Sequence, residues 1–306
     1  TKGQYCVTIE GATVTDNLDD YADMKFDIVI GNPPYLRGIH IDFFIRALEV
    51  SDTVHIIHPA SWLFRSTTAK ENQLKDMLKG RIKSIVLFNG HSKFEGAVFG
   101  VPLTITTAVK SHDGPISLKY ETTGNEYSIE NLNSMPTGFW EPTKDMRLLI
   151  MKFQTLSAST SIFDLLGNYK PDSVSISTPR VCGHVNLSTP RICGNRSHNG
   201  DRFVNDDYFT FFYRNSDIDT INTSNKVYTV STESERDSLI SYMKTKFARF
   251  GLSINKISQD AHISRYLTSV PLPPLDRLWT EQSICEHYDL SPEEIVTINS
   301  FIPDYY

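Results

Sequence analysis

Long apolar runs are missing from this sequence, and cysteine is scarce. No stretch approaches the roughly 20 consecutive apolar residues that cross a bilayer, so we expect no membrane-spanning segment. The four cysteines are scattered and include no Cys-x-x-Cys pair. This usage predicts reduced thiols in a cytoplasmic protein. The formal net charge of -6 argues against a uniformly basic coat for nucleic acid, although it leaves room for a local basic cleft.

The chain has ample material for a hydrophobic core. Its 306 residues, 40% of them hydrophobic, suit one large domain or two ordinary ones. Short β-branched runs at 54–58, 82–88 and 103–109 read as strands, and residues 41–50 and 67–78 have helical spacing. Strands that alternate with helices predict an α/β fold with a parallel sheet flanked by helices.

The stretch 26–35 organises the chain. Residues 26–30 form a short apolar run typical of a buried strand, which Gly31 ends. Two prolines follow Asn32 and fix the backbone, so the Asn32 side chain, the next carbonyl and the Tyr35 ring are presented rigidly. In open α/β sheets, ligands bind at the carboxyl ends of strands. A strand-ending turn without chemistry is the alternative.

This Asn-Pro-Pro-Tyr stretch after an apolar strand resembles the signature of amino-methyltransferases that use S-adenosylmethionine. The resemblance implies a Rossmann-like methyltransferase sheet and a catalytic role for Asn32, Pro33, Pro34 and Tyr35. The Asn32 amide oxygen and the Pro33 carbonyl would accept hydrogen bonds from the target amine, and Tyr35 would stack on the ring that carries it. The strand at 103–109 would be the family's antiparallel addition to the sheet.

The resemblance also implies a cofactor site. Asn32 and Pro33 would contact the cofactor, and Asp16, with Asn17 beside it, would accept a hydrogen bond from its adenine amine. Asp16 also fits a helix N-cap or a turn. The family's glycine-rich loop and the acidic residue that holds the ribose have no counterpart in this sequence. We therefore expect the first strands to lie upstream of Thr1 or in another chain, and residues 1–306 alone to bind S-adenosylmethionine weakly or not at all.

A second aromatic is expected between the strands at 82–88 and 103–109. Family members place there a ring that packs on the other face of the extruded base, and Phe94 has the better position, with Phe99 as the alternative. Extruding a base costs a few kcal/mol, and a stacked ring offsets ~1–3 kcal/mol of it. Phe94 could instead be an ordinary core residue at the base of a loop.

Residues 160–230 are rich in Ser, Thr, Asn and Gly and contain a near-repeat, residues 177–183 and 188–194. The two copies present Arg180 and Arg191, and Arg196 follows the second. This mildly basic segment suits contacts in a DNA groove, while an ordinary solvated β region is the alternative. The cysteines and histidines within it match no usual zinc spacing, so no metal is predicted.

The sequence 237–252 predicts one helix, on which Lys244, Lys246 and Arg249 have no adjacent acid and could meet phosphates. Ser291 and Glu294 form a capping box with Pro292 at the first helical position. Residues 241–298 resemble the C-terminal region of restriction–modification adenine methyltransferases with a fused target-recognition domain. The segments that carry this likeness are YMKTKFARF, VPLPPLD, WTE and YDLSPEEI.

Taken with the resemblance, these features predict a site-specific DNA adenine-N6 methyltransferase of a restriction–modification system, with double-stranded DNA as partner. Residues 1–115 would be the C-terminal part of the catalytic domain, 116–159 a connector and 160–306 a mixed α+β target-recognition domain with a helical tail. The alternatives are a non-catalytic DNA-binding remnant and a methyltransferase for a protein glutamine or an RNA guanine amine. Those last families share the motif but are usually compact after it.

Overall fold

The computed structural model describes residues 25–64, 68–88, 90, 93–94, 101–165, 180–184, 211–212, 225–257, 264–302 and 304. Nine strands lie in these ranges: β1 (Val29–Gly31), β2 (Val54–Pro59), β3 (Ile82–Phe88), β4 (Leu103–Ala108), β5 (Ile116–Tyr120), β6 (Glu126–Ile129), β7 (Arg180–His184), β8 (Phe211–Phe212) and β9 (Asn225–Thr229). The same ranges contain the α-helices α1 (Ile39–Val50), α2 (Ser61–Phe64), α3 (Ala69–Leu78), α4 (Lys144–Ser157), α5 (Glu233–Lys244), α6 (Lys246–Ser253), α7 (Ser264–Leu267), α8 (Glu281–His287) and α9 (Pro292–Phe301).

Six strands form a mixed sheet in the order β1-β2-β4-β3-β5-β6. β1 is parallel to β2, and β3 is parallel to β5. β4 lies between β2 and β3 and is antiparallel to both, which confirms its prediction as an antiparallel addition. The chain is therefore α/β, as the alternation of strands and helices predicted. The sheet also takes in β5 and β6, which the sequence had placed in a connector after residue 115.

The first strand differs from its prediction. The run 26–30 was expected to be a buried strand, but β1 comprises only Val29–Gly31 and forms the edge of the sheet built by the described residues. Phe26 joins Ser51 through an isolated bridge. The side chains of Ile28 and Ile30 are 48% and 75% exposed. Among the described residues, β1 pairs with β2 alone. Apolar composition predicts burial without saying which elements cover a segment.

One face of this sheet packs against α1, α2 and α3. Along β2, Val54, Ile56 and His58 alternate with less buried residues and point to this face. The helix α1 contributes Phe44, and α2 contributes Trp62. Residues 61–64 form the short helix α2, which follows β2 directly. The core beneath the Asn-Pro-Pro-Tyr stretch is thus aromatic as well as aliphatic.

A second hydrophobic cluster is formed by α4 to α9. The single helix predicted for 237–252 is two helices, α5 and α6, separated at Thr245. The Thr245 backbone is extended, and its hydroxyl accepts a hydrogen bond from the Ala248 backbone N–H at 3.2 Å. Threonine favours such N-caps, and this local bond interrupts the helix that apolar periodicity predicts. The predicted capping box of Ser291 and Glu294 at the start of α9 is confirmed.

The two clusters meet along the segment between β6 and α4. The Thr137 hydroxyl and the Trp140 indole N–H both donate to the Ile254 carbonyl, at 2.9 and 3.0 Å. A Cβ added at Gly138 would lie 2.7 Å from the same oxygen, so only glycine allows this approach. Among the described residues, no helix is long and apolar enough to cross a membrane.

Candidate functional site

Asn32 lies just beyond the carboxyl end of β1. Gly31 pairs with Ile56 of β2, and a Cβ added at Gly31 would lie 3.1 Å from the Ile56 Cδ1 atom. Glycine therefore lets the edge strand pack closely on β2 immediately before the motif. The two prolines that follow Asn32 differ in burial: Pro33 is buried, whereas Pro34 is exposed. One proline anchors the turn in the protein and the other faces solvent, so Asn32 is held at the surface of a rigid loop.

Asn32 and Tyr35 are joined directly. The Tyr35 hydroxyl donates a hydrogen bond to Asn32 Oδ1, with a distance of 2.5 Å between the oxygens. Asn32 is exposed and Tyr35 is half-buried. Burial raises the pKa of Tyr35 to about 12, so the phenol keeps its proton at neutral pH and remains a donor. An amide oxygen has two lone pairs, so Asn32 Oδ1 can accept one further hydrogen bond.

Aromatic and imidazole rings lie behind Tyr35. The ring of His40, on α1, meets the Tyr35 ring edge to face, with centroids 6.0 Å apart. His40 is stacked on His58 of β2 at 6.4 Å and an interplanar angle of 10°. His58 in turn contacts Phe44 and Trp62, at 5.6 and 5.2 Å. We call Tyr35, His40, His58, Phe44 and Trp62 the ring column.

His58 is fully buried, as are Phe44 and Trp62, and its tautomer follows from its partners. The Trp62 indole N–H lies 3.0 Å from His58 Nδ1, and an indole can only donate. His58 Nδ1 is therefore the acceptor, although the Pro59 carbonyl lies 3.1 Å from it. The proton resides on Nε2, which donates to the Thr106 hydroxyl at 2.8 Å. Burial lowers the pKa of His58 to about 3, so the ring is neutral near pH 7.

The other predicted site residues are only partly within the described residues. Asp16, Asn17, Arg191, Arg196 and Phe99 lie outside them. Arg180 begins strand β7, of which the structure describes the backbone alone. Phe94 is half-buried, and its backbone N–H donates to the Gly90 carbonyl at 2.9 Å. The role of Phe94 beside the base therefore stays a prediction. The described residues contain no group of side chains arranged to hold a metal ion.

The predicted basic face at 244–249 is corrected. Lys244 is exposed, as expected for a DNA contact. Lys246 Nζ, however, forms an ion pair with Asp304 at 2.7 Å, and Glu281 accepts hydrogen bonds from the Lys246 backbone N–H. Arg249 is completely buried, which contradicts its assignment to phosphates. The acids come from distant parts of the chain, so inspection of the helix sequence alone could not find them.

His40, His58 and Trp62 were not singled out from the sequence. Two signals were present. His58 has the same position in the alternation of its strand as Val54 and Ile56, and Trp62 follows shortly after the proline that ends the strand. A histidine on the buried face of a strand needs polar partners, and the Trp62 indole and the Thr106 hydroxyl are the partners that the fold provides.

Comparison with known proteins gives little. No protein-family model matches this chain, and no curated protein matches it. Among solved structures, the chain is similar to the Type IIL restriction-modification enzyme MmeI, determined in complex with DNA, with a TM-score of 0.38 and 9% identity. The match covers 90% of this chain and 52% of that one, so this chain spans about half the length of the MmeI structure. A likeness this low carries no argument about activity.

Proposed function

We propose that this chain carries the amine-binding part of an S-adenosylmethionine-dependent methyltransferase acting on the N6 amine of adenine in DNA. The observation that supports this most directly is the pairing of Asn32 and Tyr35 at the carboxyl end of β1. An exposed amide acceptor and an aromatic ring are held together by a hydrogen bond on a rigid Pro-Pro turn. A planar ring with an exocyclic amine needs both features: an acceptor for the amine and a surface for the ring.

The sheet is consistent with the same proposal. The strand β4 lies between β2 and β3 and runs antiparallel to both. The family resemblance implied such an antiparallel strand for residues 103–109. The motif stands at the carboxyl end of a parallel strand, the edge at which ligands bind in open α/β sheets.

The described residues fit the methyl-accepting side of such a site. S-adenosylmethionine, when bound, supplies an electrophilic methyl group on a positively charged sulfur. The groups presented by Asn32 and Pro33 are neutral oxygen acceptors, which do not repel that charge. Tyr35 stays protonated because its pKa is about 12, so it offers no competing phenolate nucleophile. Asp16 and Asn17 remain proposed contacts for the adenine of the cofactor.

Catalysis by these residues would be a matter of positioning. Asn32 Oδ1 and the Pro33 carbonyl accept hydrogen bonds from the two N–H groups of the target amine, which draws the nitrogen toward tetrahedral geometry and orients its lone pair. Tyr35 stacks on one face of the extruded base, and Phe94 is the proposed ring for the other face. Fixed dipoles that need no reorganisation can lower a barrier by several kcal/mol without a strong general base.

Two substitutions at Tyr35 test the proposal. Stacking of a base on an aromatic ring contributes ~1–3 kcal/mol, so Tyr35→Ala should reduce kcat/KM for methyl transfer to duplex DNA by roughly 5- to 150-fold. Tyr35→Phe keeps the stacking surface and loses only the hydrogen bond to Asn32, so its loss of activity should be smaller than that of Tyr35→Ala. The measurement is transfer of labelled methyl groups from S-adenosylmethionine to adenine, with a glycine-rich cofactor loop supplied in cis or in trans if the chain alone is inactive. Equal activity of Tyr35→Ala and wild type would contradict the role of the ring.

The same proposal includes DNA as partner, bound by the second half of the chain. Lys244 is the exposed candidate among the described residues, and Arg180, Arg191 and Arg196 are proposed to influence which site is methylated. Lysine contacts to phosphates weaken as salt rises, because binding releases counterions. Lys246 and Arg249 are left out of this surface, since one is bonded to Asp304 and the other is buried.

Charge reversal at Lys244 tests this surface. Lys244→Glu should weaken binding to all DNA sequences and should lower the slope of log affinity against log salt by about one. Lys110→Glu is the matched control, because Lys110 is an exposed lysine of the first half that pairs with Asp52 at 3.1 Å. Fluorescence anisotropy with a labelled duplex at several salt concentrations is the measurement. An unchanged slope for Lys244→Glu would remove this residue from the interface.

A further inference from the structure

The Tyr35 ring is held from two sides. Its hydroxyl is bonded to Asn32, and its ring meets His40 edge to face at 6.0 Å and an angle of 86°. His40 cannot retreat from Tyr35 without disturbing its own stack on His58. His58 is locked by two hydrogen bonds, from Trp62 and to Thr106, and is fully buried. Rigidity therefore extends from the centre of the sheet to Tyr35.

His40 has an unusual polar environment. Its Nδ1 atom is buried and has no hydrogen-bond partner among the described residues. An N–H at this atom would be buried without an acceptor, which is unfavourable, and a positive charge would be worse. The ring in contact with it, His58, carries no charge near pH 7. The arrangement thus favours a neutral His40 whose Nδ1 is an unprotonated lone pair.

The groups around His40 have opposing effects on its pKa. Burial lowers the pKa of His40, while the Glu71 carboxylate, the Tyr35 carbonyl and the Asp42 carboxylate act to raise it. Both carboxylates already have partners. Asp42 is bonded to Lys70 Nζ at 2.7 Å, and Glu71 accepts from the Thr68 backbone N–H at 2.8 Å within the capping box of α3. Each carboxylate therefore has a partner other than a protonated His40.

We propose that His40 is a positioning residue of the site, which, in its neutral form, sets the plane of the Tyr35 ring for the target base. Protonation would drive the imidazolium toward solvent and would loosen Tyr35, so activity falls below the pH at which His40 gains a proton. The catalytic meaning of this role rests on the proposed methyl transfer, whereas the physical coupling of His40 to Tyr35 does not.

The coupling can be measured without any activity. In the full chain with isotope-labelled histidine and tyrosine rings, we expect the Tyr35 ring signals to shift with the same midpoint as His40, below the ordinary histidine value of about 6.5. His40→Phe should abolish this titration of Tyr35. His55→Phe is the matched control, because His55 lies on β2, on the face opposite to His58, and bonds Thr107 at 3.0 Å. Tyr35 ring signals that do not shift as His40 gains its proton would overturn the proposal.

Measurement of turnover is the second test. The edge-to-face contact stabilises the position of the Tyr35 ring, so His40→Ala should lower kcat by about two- to tenfold, while KM for S-adenosylmethionine stays unchanged. His40→Phe should restore kcat and remove the loss of activity on the acid side. An unaltered kcat in His40→Ala would also overturn the positioning role. Failure of the wild-type protein to methylate DNA even when a glycine-rich cofactor loop is supplied in cis or in trans would instead overturn the proposed function. The spectroscopic measurement would still decide the coupling.

Discussion

Replacing Asn32 by alanine is expected to reduce methyl transfer about 10²- to 10³-fold, the loss typical when one preorganised polar group is removed from a catalytic site. The Asn32 oxygen is exposed and already oriented by Tyr35, so its absence removes an acceptor and frees the Tyr35 hydroxyl. The Pro33 carbonyl would remain as the other acceptor. The largest effect should therefore be on kcat.

The binding of DNA should hardly change in Asn32→Ala, because contacts with phosphates supply most of the affinity for DNA. Asn299→Ala is the matched control, since Asn299 is an exposed asparagine on α9 outside the site. Methyl transfer and duplex affinity are measured for both variants. Full activity of Asn32→Ala would refute the assignment of Asn32. Absence of methyl transfer and of cofactor binding in the wild-type protein, even when a glycine-rich cofactor loop is supplied in cis or in trans, would instead favour a non-catalytic DNA-binding remnant.

The second large effect is expected at His58. His58→Ala should lower the free energy of unfolding by about 3–5 kcal/mol, because it opens a cavity and leaves two buried polar groups unpaired. Those groups are the Trp62 indole N–H and the Thr106 hydroxyl, which His58 now bridges at 3.0 and 2.8 Å. Urea unfolding measures the change. The control His55→Ala should cost about 1 kcal/mol or less, since it removes one half-exposed hydrogen bond to Thr107.

The same variant should alter how stability depends on pH. The unfolded chain protonates this histidine below about pH 6.5, whereas the folded protein holds its pKa near 3. The unfolded state therefore binds more protons between these values, and the contribution of His58 to stability falls as pH decreases, by about 1.4 kcal/mol per unit. Between pH 7 and pH 5 the difference between wild type and His58→Ala should shrink by about 2 kcal/mol. An equal difference at both pH values would mean that His58 is not held neutral.

Local sequence signals predicted much of the first half. The strand β3 matches its predicted bounds, and the predicted antiparallel strand at 103–109 is confirmed apart from its last residue. The capping box of Ser291 is also confirmed. Each of these depends on neighbouring residues: β-branched runs favour extended backbone, and a serine three residues before a glutamate satisfies helical N–H groups. Such interactions are the same wherever the segment lies in the fold.

Other features depended on segments far apart in the chain. Neither β5 nor β6 could be assigned to the sheet from composition, because strand pairing is a long-range choice. The predicted cationic helix face does not form as a unit, because Lys246 pairs with Asp304 and Arg249 is buried. A helix sequence shows which residues share a face but does not show what covers that face.

The Asn-Pro-Pro-Tyr turn follows from local sequence alone, since two prolines after a strand-ending glycine restrict the backbone there. The side chains behind Tyr35, by contrast, are brought there by tertiary packing. His40 follows the motif closely, but His58 and Trp62 come from the next strand and helix, and Thr106 from a strand further on. Ring stacking and buried hydrogen bonds join these four side chains because the helices α1 and α2 pack on one face of the sheet, and that packing is a property of the whole chain.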